Sequence, residues 1–526
     1  MAANHVLAVD LATVWSAPNR SGFIRMIGWG HPIEVLAVTD KHVEVRVWRF
    51  ERQPDGSEKP IPASGFITPT KSSGLKAADL AIPKAQNRVL KMDFVDVQQG
   101  DAAVLESPGG KVVLVDGGDN QLFARYLAGR FRGTTDARPL RPEAIVVTHG
   151  DADHFLGLVE VRESESNRTT WKRLFMAPKR IFHNGLVKRP EKRADGTRRS
   201  EAELLGPVAG AGADRILTGL VDDVRTVPDA EMNEPFRRWR DALNHWAGRG
   251  PIDMRRVARG SNALDILTPE GIEIEVLGPL LTTKNGIDGL LLLGNPPEGP
   301  RLGVESERAG RRFSGVSASH TINGHSIILR ITYGQVRFLL TGDLNEQASI
   351  ALRNAVDATG SPQVAAEVFK VPHHGSADFD PDFISAVAPV VSIVSSGDES
   401  ARKEYIHPRA TIMGALGRSS RVAEPLVFVT ELVAFFEVEG WTDPERHVVD
   451  ALGSALIQDG RAVDLPPKKR RETFFAFSRR AFGIVRIRTD GQRMFVFTDS
   501  GHDDLKEAYA YTVAGGVVTP TAVMRA

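Results

Sequence analysis

Clusters of histidine and aspartate in this sequence follow directly on short runs of β-branched and other apolar residues. Residues 111–115 lead into Asp116, 144–147 into the segment 148–154, 329–340 into Thr341-Gly342-Asp343, and 364–371 into a His373-His374 pair. A helix is predicted over 121–132, after the first of these strands. Strands that alternate with helices indicate an α/β domain, and side chains just past the carboxyl ends of such strands collect at one edge of the sheet. The sequence therefore predicts an α/β fold with a single polar site.

The composition is that of a globular protein with several cores. A length of 526 residues predicts three or four domains at roughly 150 residues each. Hydrophobic residues at 42% and charged residues at 25% exclude a disordered, collagen-like or coiled-coil chain. The lack of cysteine excludes disulfides, thiolate zinc fingers, iron–sulfur clusters and cysteine nucleophiles. Basic and acidic residues both number 66, so no global field attracts nucleic acid or an anionic membrane.

The N-terminus and the apolar segments favour a cytoplasmic protein. The first ten residues lack the basic start and the apolar run of a secretory signal. The longest apolar stretch, 289–294, contains four leucines, far short of the roughly 18 apolar residues that span a bilayer. We therefore expect no membrane partner.

Four regions are predicted along the chain. Residues 1–70 contain short β-rich runs at 33–38 and 43–48, and the segments 13–18, 28–32 and 65–67 resemble a bacterial SH3-type β-barrel. Residues 71–87 are predicted to be a linker, and 88–424 the α/β domain that carries the polar clusters. Residues 425–526 are predicted to be a C-terminal α+β extension with a β-hairpin around Asp490-Gly491. The SH3-like region would bind a protein or peptide partner.

The densest polar cluster is the segment Thr148-His149-Gly150-Asp151-Ala152-Asp153-His154. Alternate residues of an extended segment share a face, so His149, Asp151 and Asp153 can point into one concave site together with His154. Imidazole nitrogens and carboxylate oxygens suit zinc or manganese, whereas softer metals prefer thiolates. These four residues are therefore candidate metal ligands, and the loop is rich enough in donors for two ions.

Further donors follow other strands. Asp343 is the candidate for a bridging carboxylate, because two dications about 3.5 to 4 Å apart need a shared anion to offset their repulsion. Asp116 and the His373-His374 pair complete the set. Each residue alone has a plainer interpretation, since an aspartate after a strand often caps a helix and a histidine often has a structural role. Several separate loops carry His or Asp donors just after a strand, and this repetition favours a metal site over the plainer interpretations.

Together these motifs resemble the metallo-β-lactamase superfamily. Asp116 matches its first motif, and residues 149–154 match its HxHxDH signature with Asp151 in place of the second histidine. Residues 341–343 and 370–376 are similar to the C-terminal hydrolase domain of ComEC competence proteins and to phosphorylcholine esterases. The likeness covers about residues 91–418. It implies an αββα sandwich, two divalent metal ions (zinc or manganese) and hydrolysis of a phosphodiester by metal-activated water.

The resemblance also implies roles for single residues. His149 and Asp151 would bind one ion, and Asp153, His154 and one of His373 and His374 the other, with Asp343 between them. Asp116 would orient a ligating histidine or the attacking water. The remaining histidine of the family is open among three candidates, of which His325 is assigned as a ligand and the others are His183 and His320.

His407-Pro408 resembles a late GHP element of the ComEC type, with Ile406 where that family has glycine. By this resemblance His407 is a candidate catalytic acid for the leaving group, as is whichever of His373 and His374 does not bind metal. The plainer interpretation is that His407 stands at the start of a helix beside Pro408.

The predicted function is that of a metal-dependent phosphodiesterase or nuclease. Residues 162–200 carry twelve Lys/Arg against four Asp/Glu, and 468–471 with Arg479 and Arg480 form a second basic patch. Both patches could follow a nucleic-acid backbone or could simply be solvated. The alternatives are hydrolysis of a small-molecule ester, such as a choline-phosphate ester or a lactone, and a non-catalytic binding module on a degenerate hydrolase fold. Steep weakening by salt would distinguish nucleic-acid binding from turnover of a neutral ester.

Overall fold

The structure is a computed structural model that describes residues 3–53, 58–296, 313–357, 363–397, 407–430, 457–458, 461–462, 483–499 and 507–526. The second basic patch of the sequence analysis (468–471, Arg479 and Arg480) lies outside these residues. In the part of the chain so described, no helix has the length and apolar character needed to cross a bilayer.

The N-terminal region is a sheet-rich small β domain. Its seven strands are β1 (His5–Leu7), β2 (Leu11–Trp15), β3 (Phe23–Gly28), β4 (Pro32–Val38), β5 (Val43–Arg52), β6 (Glu58–Ile67) and β7 (Ala81–Pro83), in the spatial order β3-β2-β6-β5-β4-β1-β7. Val43, Val45 and Val47 alternate along β5 and are fully buried in the core of this domain. The alternation arises because successive strand residues point to opposite faces.

The predicted linker, 71–87, contains the strand β7. This strand pairs antiparallel with β1, and Ala77 and Leu80 just before it are buried in the same core as β5. A run of three residues ending in Pro83 is too short to give an alternating pattern, so the sequence could not indicate a strand here. The N-terminal domain therefore takes in part of the predicted linker.

The remaining strands form two large sheets and two small ones. The first large sheet has, in spatial order, β15 (Asp253–Arg256), β12 (Arg180–His183), β11 (Ala144–Val146), β10 (Val112–Asp116), β9 (Ala102–Glu106), β8 (Leu90–Phe94), β26 (Ile484–Thr489), β27 (Arg493–Asp499), β28 (Ala508–Ala514) and β29 (Val517–Thr521). The second has β16 (Ile272–Gly278), β19 (Ile328–Tyr333), β20 (Val336–Leu340), β21 (Val368–Lys370), β22 (Val391–Val394) and β23 (Leu426–Val429). The small sheets contain β13 (Val208–Ala209), β14 (Ile216–Leu217), β18 (Ile287–Leu291) and β17 (Thr282–Lys284), and β24 (Ile457–Gln458) with β25 (Arg461–Ala462).

The two large sheets pack face to face with helices outside. Apolar side chains from both sheets form one buried core between them. The described helices are α1 (Leu122–Arg130), α2 (Ala152–Ser164), α3 (Glu234–Ala247), α4 (Ala318–Gly324), α5 (Glu346–Asp357), α6 (Pro381–Val387) and α7 (Ala410–Ser419). A second core joins α1, α2 and α3 to the first sheet, and a third joins α5, α6 and α7 to the second sheet. The predicted α/β fold class and its αββα layering are confirmed.

The last strands, which follow the predicted boundary at residue 425, belong to the two large sheets. β23 lies parallel to β22 in the second sheet, and β26 pairs antiparallel with β8 in the first. β26 and β27 form a hairpin around Asp490-Gly491, and β28 and β29 extend the same sheet. Nearly 400 residues separate the partners β8 and β26, so no local pattern could indicate their pairing.

A buried ionic network fixes β26 to β8. Asp93 of β8 is fully buried and forms ion pairs with three arginines, here called the Asp93 network: Arg130 of α1, and Arg486 and Arg488 of β26. The distances from Asp93 oxygens to Arg486 Nη1 and Arg488 Nη1 are both 2.7 Å. Tyr126 of α1 also donates to Asp93. A buried carboxylate is tolerated because it is paired and hydrogen-bonded on all sides.

Candidate metal centre

The site lies where strands of both large sheets end. β10 and β11 run parallel in the first sheet, and β20 and β21 run parallel in the second. Asp116 is the last residue of β10, the segment 148–154 follows β11, Asp343 follows β20, and His373 and His374 follow β21. Parallel strands bring their carboxyl ends to one edge of a sheet, and the packing of the two sheets places these edges together. Loops distant in the chain therefore meet at one site.

The loop after β11 places two imidazoles side by side. α2 begins at Ala152, so His149 lies in the loop and His154 in the first turn of the helix. Their ring centroids are 4.0 Å apart, and both side chains are fully buried. Asp151 stands directly before α2, but its carboxylate accepts no hydrogen bond from the first turn of the helix. Helix capping, the plainer interpretation of this aspartate, is therefore not what it does here.

Four imidazole nitrogens lie within 3.9 Å of the Asp343 carboxylate, those of His149, His154, His373 and His374. The distance to an Asp343 oxygen is 3.2 Å from His374 Nε2, 3.4 Å from His154 Nε2 and 3.9 Å from His149 Nε2. Asp153 lies on the same side as His374, with its Oδ2 3.5 Å from His374 Nε2. Among the described residues, two of four overlapping groups of donor atoms are formed by these side chains: His149, His154 and Asp343, and Asp153, His154 and His374. We call these five residues the central cluster.

Unsatisfied atoms in the central cluster fit a bound cation. Among the residues that the structure describes, the Nε2 atoms of His149, His154 and His374 and Asp343 Oδ1 are buried without a hydrogen-bond partner. Buried polar atoms are nearly always hydrogen-bonded, so four such atoms in one place call for a ligand. Imidazole nitrogens with carboxylate oxygens are a donor set that zinc and manganese accept. The residues present therefore fit divalent metal ions.

Electrostatics at the cluster also favour a cation. Burial disfavours a charged imidazole, yet the carboxylates of Asp343, Asp116 and Asp153 raise the pKa of His154 well above its usual value. His149 is also buried beside His154, and its pKa is lowered to about 3. His149 therefore presents a neutral nitrogen at neutral pH. The negative potential that favours a proton on His154 also favours a metal ion in that place.

Asp116 lies behind His154. Its Oδ2 is 2.9 Å from His154 Nδ1, and it also accepts hydrogen bonds from the backbone nitrogen and the hydroxyl of Thr148, both at 2.7 Å. A carboxylate on Nδ1 fixes the ring orientation and directs the Nε2 lone pair into the cluster. Asp116 thus has the geometry of the orienting residue that the resemblance implies.

Sequence reasoning missed Asp101 and Lys370, which occupy the equivalent place behind His374. His374 Nδ1 lies 3.1 Å from the Ser395 carbonyl oxygen and 3.5 Å from Asp101 Oδ1. Lys370 is ion-paired with Asp101 and donates to the Gly342 carbonyl oxygen at 3.2 Å. The available signal was a lysine inside the buried strand β21, where an unpaired charge would be costly. Asp101 lies in the turn between β8 and β9, where an aspartate alone gives no signal of a site.

The backbone is strained at three residues of the site. Asp116, His373 and His374 have φ values of 57°, 48° and 53°. Left-handed conformations of this kind cost non-glycine residues on the order of 1–3 kcal/mol each and collect at functional sites. His374 Nε2 lies 3.2 Å from Asp343 Oδ2, whereas His373 Nε2 lies 3.9 Å from the same oxygen and 3.5 Å from the side-chain amide of Asn323. The two histidines therefore approach Asp343 differently.

Asp151 lies at the edge of the central cluster. Burial raises its pKa to about 6, and Lys188 opposes this rise with its Nζ 3.7 Å from Asp151 Oδ1. The amide of Asn323, in the orientation that satisfies its hydrogen bonds, donates to Asp151 Oδ2 at 3.0 Å. The predicted ligands His149, Asp153, His154, Asp343 and His374 thus share one cluster, with Asp151 and His373 beside it.

His325, predicted as a ligand, does not join the central cluster in the structure. It directly follows α4, and its Nε2 is 2.7 Å from the Leu291 carbonyl oxygen. Burial lowers its pKa to about 4, so the ring is a neutral hydrogen-bond donor. His183 Nε2 contacts the Asp222 carbonyl oxygen at 2.9 Å, and His320 Nε2 contacts Asp378 at 2.9 Å. None of the three belongs to a metal-ligating group of the described residues.

His407 lies near the cluster without belonging to it. Its ring centroid is 6.0 Å from that of His373 and 6.4 Å from that of His374. Burial, with the neighbouring His374 and His373, lowers the pKa of His407 to about 3. His407 is thus a neutral imidazole at neutral pH, and it precedes rather than begins α7. At neutral pH, His407 could therefore assist a leaving group only by donating a hydrogen bond from its neutral N–H.

Comparison with known proteins agrees with this geometry. Residues 95–251 match the metallo-beta-lactamase superfamily. The chain therefore contains a metallo-beta-lactamase superfamily domain. The matched residues include β10, the loop after β11 and α2, which carry Asp116, His149, Asp151, Asp153 and His154. With the His/Asp groups, the match supports a metal-dependent hydrolase.

The other comparisons add little. No curated protein matches the sequence. Among solved structures, the chain is similar to the crystal structure of unliganded yeast PDE1, with a TM-score of 0.32 and 10% identity, over 65% of this chain and 98% of that chain. At this TM-score nothing about function follows from the likeness.

Proposed function

We propose that the protein is a metal-dependent phosphodiesterase or nuclease. The observation that carries the proposal is the central cluster: three buried imidazole nitrogens without hydrogen-bond partners among the described residues face the carboxylates of Asp343 and Asp153. The cluster lies at the carboxyl ends of strands in a metallo-beta-lactamase superfamily domain. Hydrolysis needs a nucleophilic water and a stabiliser of negative charge, and a divalent metal site supplies both.

The donor set is large enough for two divalent ions, which Asp343 would help to hold. His149, with Asp151 beside it, would hold one ion, and Asp153, His154 and His374 would hold the other. When bound, such ions act as Lewis acids and lower the pKa of water toward neutrality. Asp116 and Asp101 keep the rings of His154 and His374 in place. Burial of these rings excludes bulk water from their Nδ1 side and keeps their Nε2 atoms directed at the reaction site.

Local charge favours an anionic substrate. Much of the basic segment 162–200 is paired within the protein, Lys179 and Arg180 with Glu143 and Arg193 with Glu203. Lys188 is instead paired with Asp151 at the edge of the cluster. Nucleic acid is the partner that the remaining basic side chains would bind, and a small phosphate ester is the second candidate. Added salt would distinguish the two candidate substrates. Nucleic-acid binding weakens steeply with salt concentration, because counterion release loses its driving force.

An activity panel with an Asp153→Asn variant tests the proposal. Purified protein would be assayed with Mn²⁺, Zn²⁺ or Mg²⁺ on bis-p-nitrophenyl phosphate, single- and double-stranded DNA, and RNA. We expect metal-dependent cleavage that the variant loses by at least about 100-fold, because the ligand pair formed by Asp153 and His374 is broken.

The matched control is Asp241→Asn, since Asp241 lies on α3 with its side chain 68% exposed. We expect the control to keep wild-type activity. An Asp153→Asn variant as active as the control would assign the cleavage to a contaminant. A folded wild type that takes up no metal would instead favour the non-catalytic binding module.

A further inference from the structure

The mouth of the site is distinct from its buried interior. The side chains of His149, His154, His374 and Asp343 are at most 4% exposed, whereas those of Asp151, Asp153 and His373 are 22% to 24% exposed. Lys188, beside Asp151, is 30% exposed. A substrate from solvent therefore meets Asp151, Asp153, His373 and Lys188 first.

Lys188 stands on a segment that is fixed on both sides. The neighbouring Leu186 and Val187 are buried, and the Lys188 carbonyl oxygen accepts a hydrogen bond of 2.8 Å from the Asn233 backbone nitrogen before α3. Arg189 N in turn donates to the Leu204 carbonyl oxygen at 2.8 Å. The cation is thus held at the mouth by its backbone, which lowers the entropy that a ligand contact must overcome.

The ammonium group of Lys188 has N–H donors that no described residue uses. Its Nζ lies 3.7 Å from Asp151 Oδ1, beyond hydrogen-bond distance, and no described residue accepts a hydrogen bond from it. A lysine carries three donors and acts as a point charge toward phosphate. By contrast, Lys370 is buried and committed to Asp101 and to the Gly342 carbonyl oxygen.

The net charge of the metal-loaded site depends on Lys188, and this charge determines whether the mouth attracts an anionic ligand. Five carboxylates surround the site, from Asp101, Asp116, Asp151, Asp153 and Asp343. Two divalent ions together with Lys370 would balance these five negative charges, and Lys188 adds one positive charge at the mouth. A surplus of positive charge on the solvent side attracts anions and disfavours cations.

We propose that Lys188 binds a non-bridging phosphate oxygen of the substrate and makes the site selective for anionic esters over neutral ones. This inference rests on the proposed function, because that function places the substrate ester at the metal centre. It assigns Lys188 a binding role at the mouth, outside the metal-ligating set.

The test measures binding of inorganic phosphate to metal-loaded protein by isothermal titration calorimetry, so that it does not depend on turnover. For Lys188→Met we expect the dissociation constant to rise about 10- to 100-fold, the usual loss for a hydrogen bond to a charged group. Lys188→Arg should recover most of the affinity. The matched control is Lys192→Met, an exposed lysine of the same basic segment, for which we expect a change of less than about 3-fold because single exposed charges contribute little.

A second readout is charge selectivity. We expect kcat/KM of Lys188→Met to fall about 10- to 100-fold for bis-p-nitrophenyl phosphate and to stay near wild type for the neutral ester p-nitrophenyl acetate. Metal content by plasma mass spectrometry should be unchanged. Phosphate affinity equal to wild type in Lys188→Met, or a fall in metal content or in both activities alike, would overturn the proposal. Phosphate binding that depends on Lys188 in a protein that cleaves no ester would support the anion site and refute the proposed function.

Discussion

Replacing Asp343 by asparagine is expected to lower kcat/KM for phosphodiester cleavage by at least about 1,000-fold, equivalent to about 4 kcal/mol of transition-state stabilisation. Asp343 is the residue toward which His149, His154 and His374 all point, at 3.2 to 3.9 Å. Asparagine keeps the shape but removes the charge, so the repulsion between two dications would no longer be offset. Steady-state kinetics on bis-p-nitrophenyl phosphate with added Mn²⁺ or Zn²⁺ would measure the effect.

The fold itself should survive this change. The Asp343 backbone nitrogen donates to Ser326 Oγ at 3.0 Å, and that contact does not involve the carboxylate. We expect circular dichroism and thermal unfolding of the variant to resemble those of apo wild type. Asp241→Asn again serves as the exposed control. Activity of Asp343→Asn within about 10-fold of wild type would mean that this carboxylate is not a metal bridge.

Asp93→Ala is expected to lower the free energy of unfolding by about 3–5 kcal/mol, because it leaves the buried Arg488 without its counter-charge. Arg130 and Arg486 would each lose one of two carboxylate partners and keep Glu106 and Asp499. Arg488, whose side chain is 6% exposed, and Arg486 and Arg130 all pair with this one carboxylate. The ion pairs that the variant loses are those that fix β26 to β8 and so hold the C-terminal strands in the first sheet. Urea unfolding followed by circular dichroism would measure it, with the slope checked for a two-state transition.

The comparison for that variant is Asp253→Ala. Asp253 pairs with Arg255 at 2.8 Å, but the two side chains are 42% and 59% exposed, and exposed pairs of this kind contribute about 0–1 kcal/mol. A loss in Asp93→Ala no larger than in Asp253→Ala would show that the C-terminal strands do not depend on the Asp93 network for docking.

The sequence indicated the parts of the fold that depend on neighbouring residues. Runs of β-branched residues that end in polar motifs located β10, β11, β20 and β21, and the clustering of their ends follows from parallel strand order. The pairing of β26 with β8 and of β7 with β1 could not be predicted in this way. Both pairings are selected by burial against distant parts of the chain, and a single sequence carries no record of such contacts.

At the site, residues in dense motifs were found and isolated ones were missed. His149, Asp153, His154, Asp343 and His374 meet in the central cluster, as their spacing after strands suggested. Asp101 and Lys370 come from two different sheets and form a pair only in the folded protein. His325 lies outside the central cluster, and its ring is directed at the Leu291 carbonyl oxygen. Distance in sequence from the Asp343 strand gives no information on ring direction.

Metal stoichiometry tests whether loops far apart in the chain meet to hold divalent metal. Wild type and His374→Gln would be loaded with Zn²⁺ or Mn²⁺, desalted and analysed by plasma mass spectrometry, with His325→Gln as a buried histidine outside the cluster. We expect bound metal in wild type and His325→Gln and a clear loss in His374→Gln. Equal metal content in wild type and His374→Gln, or a folded wild type that retains none, would contradict this expectation.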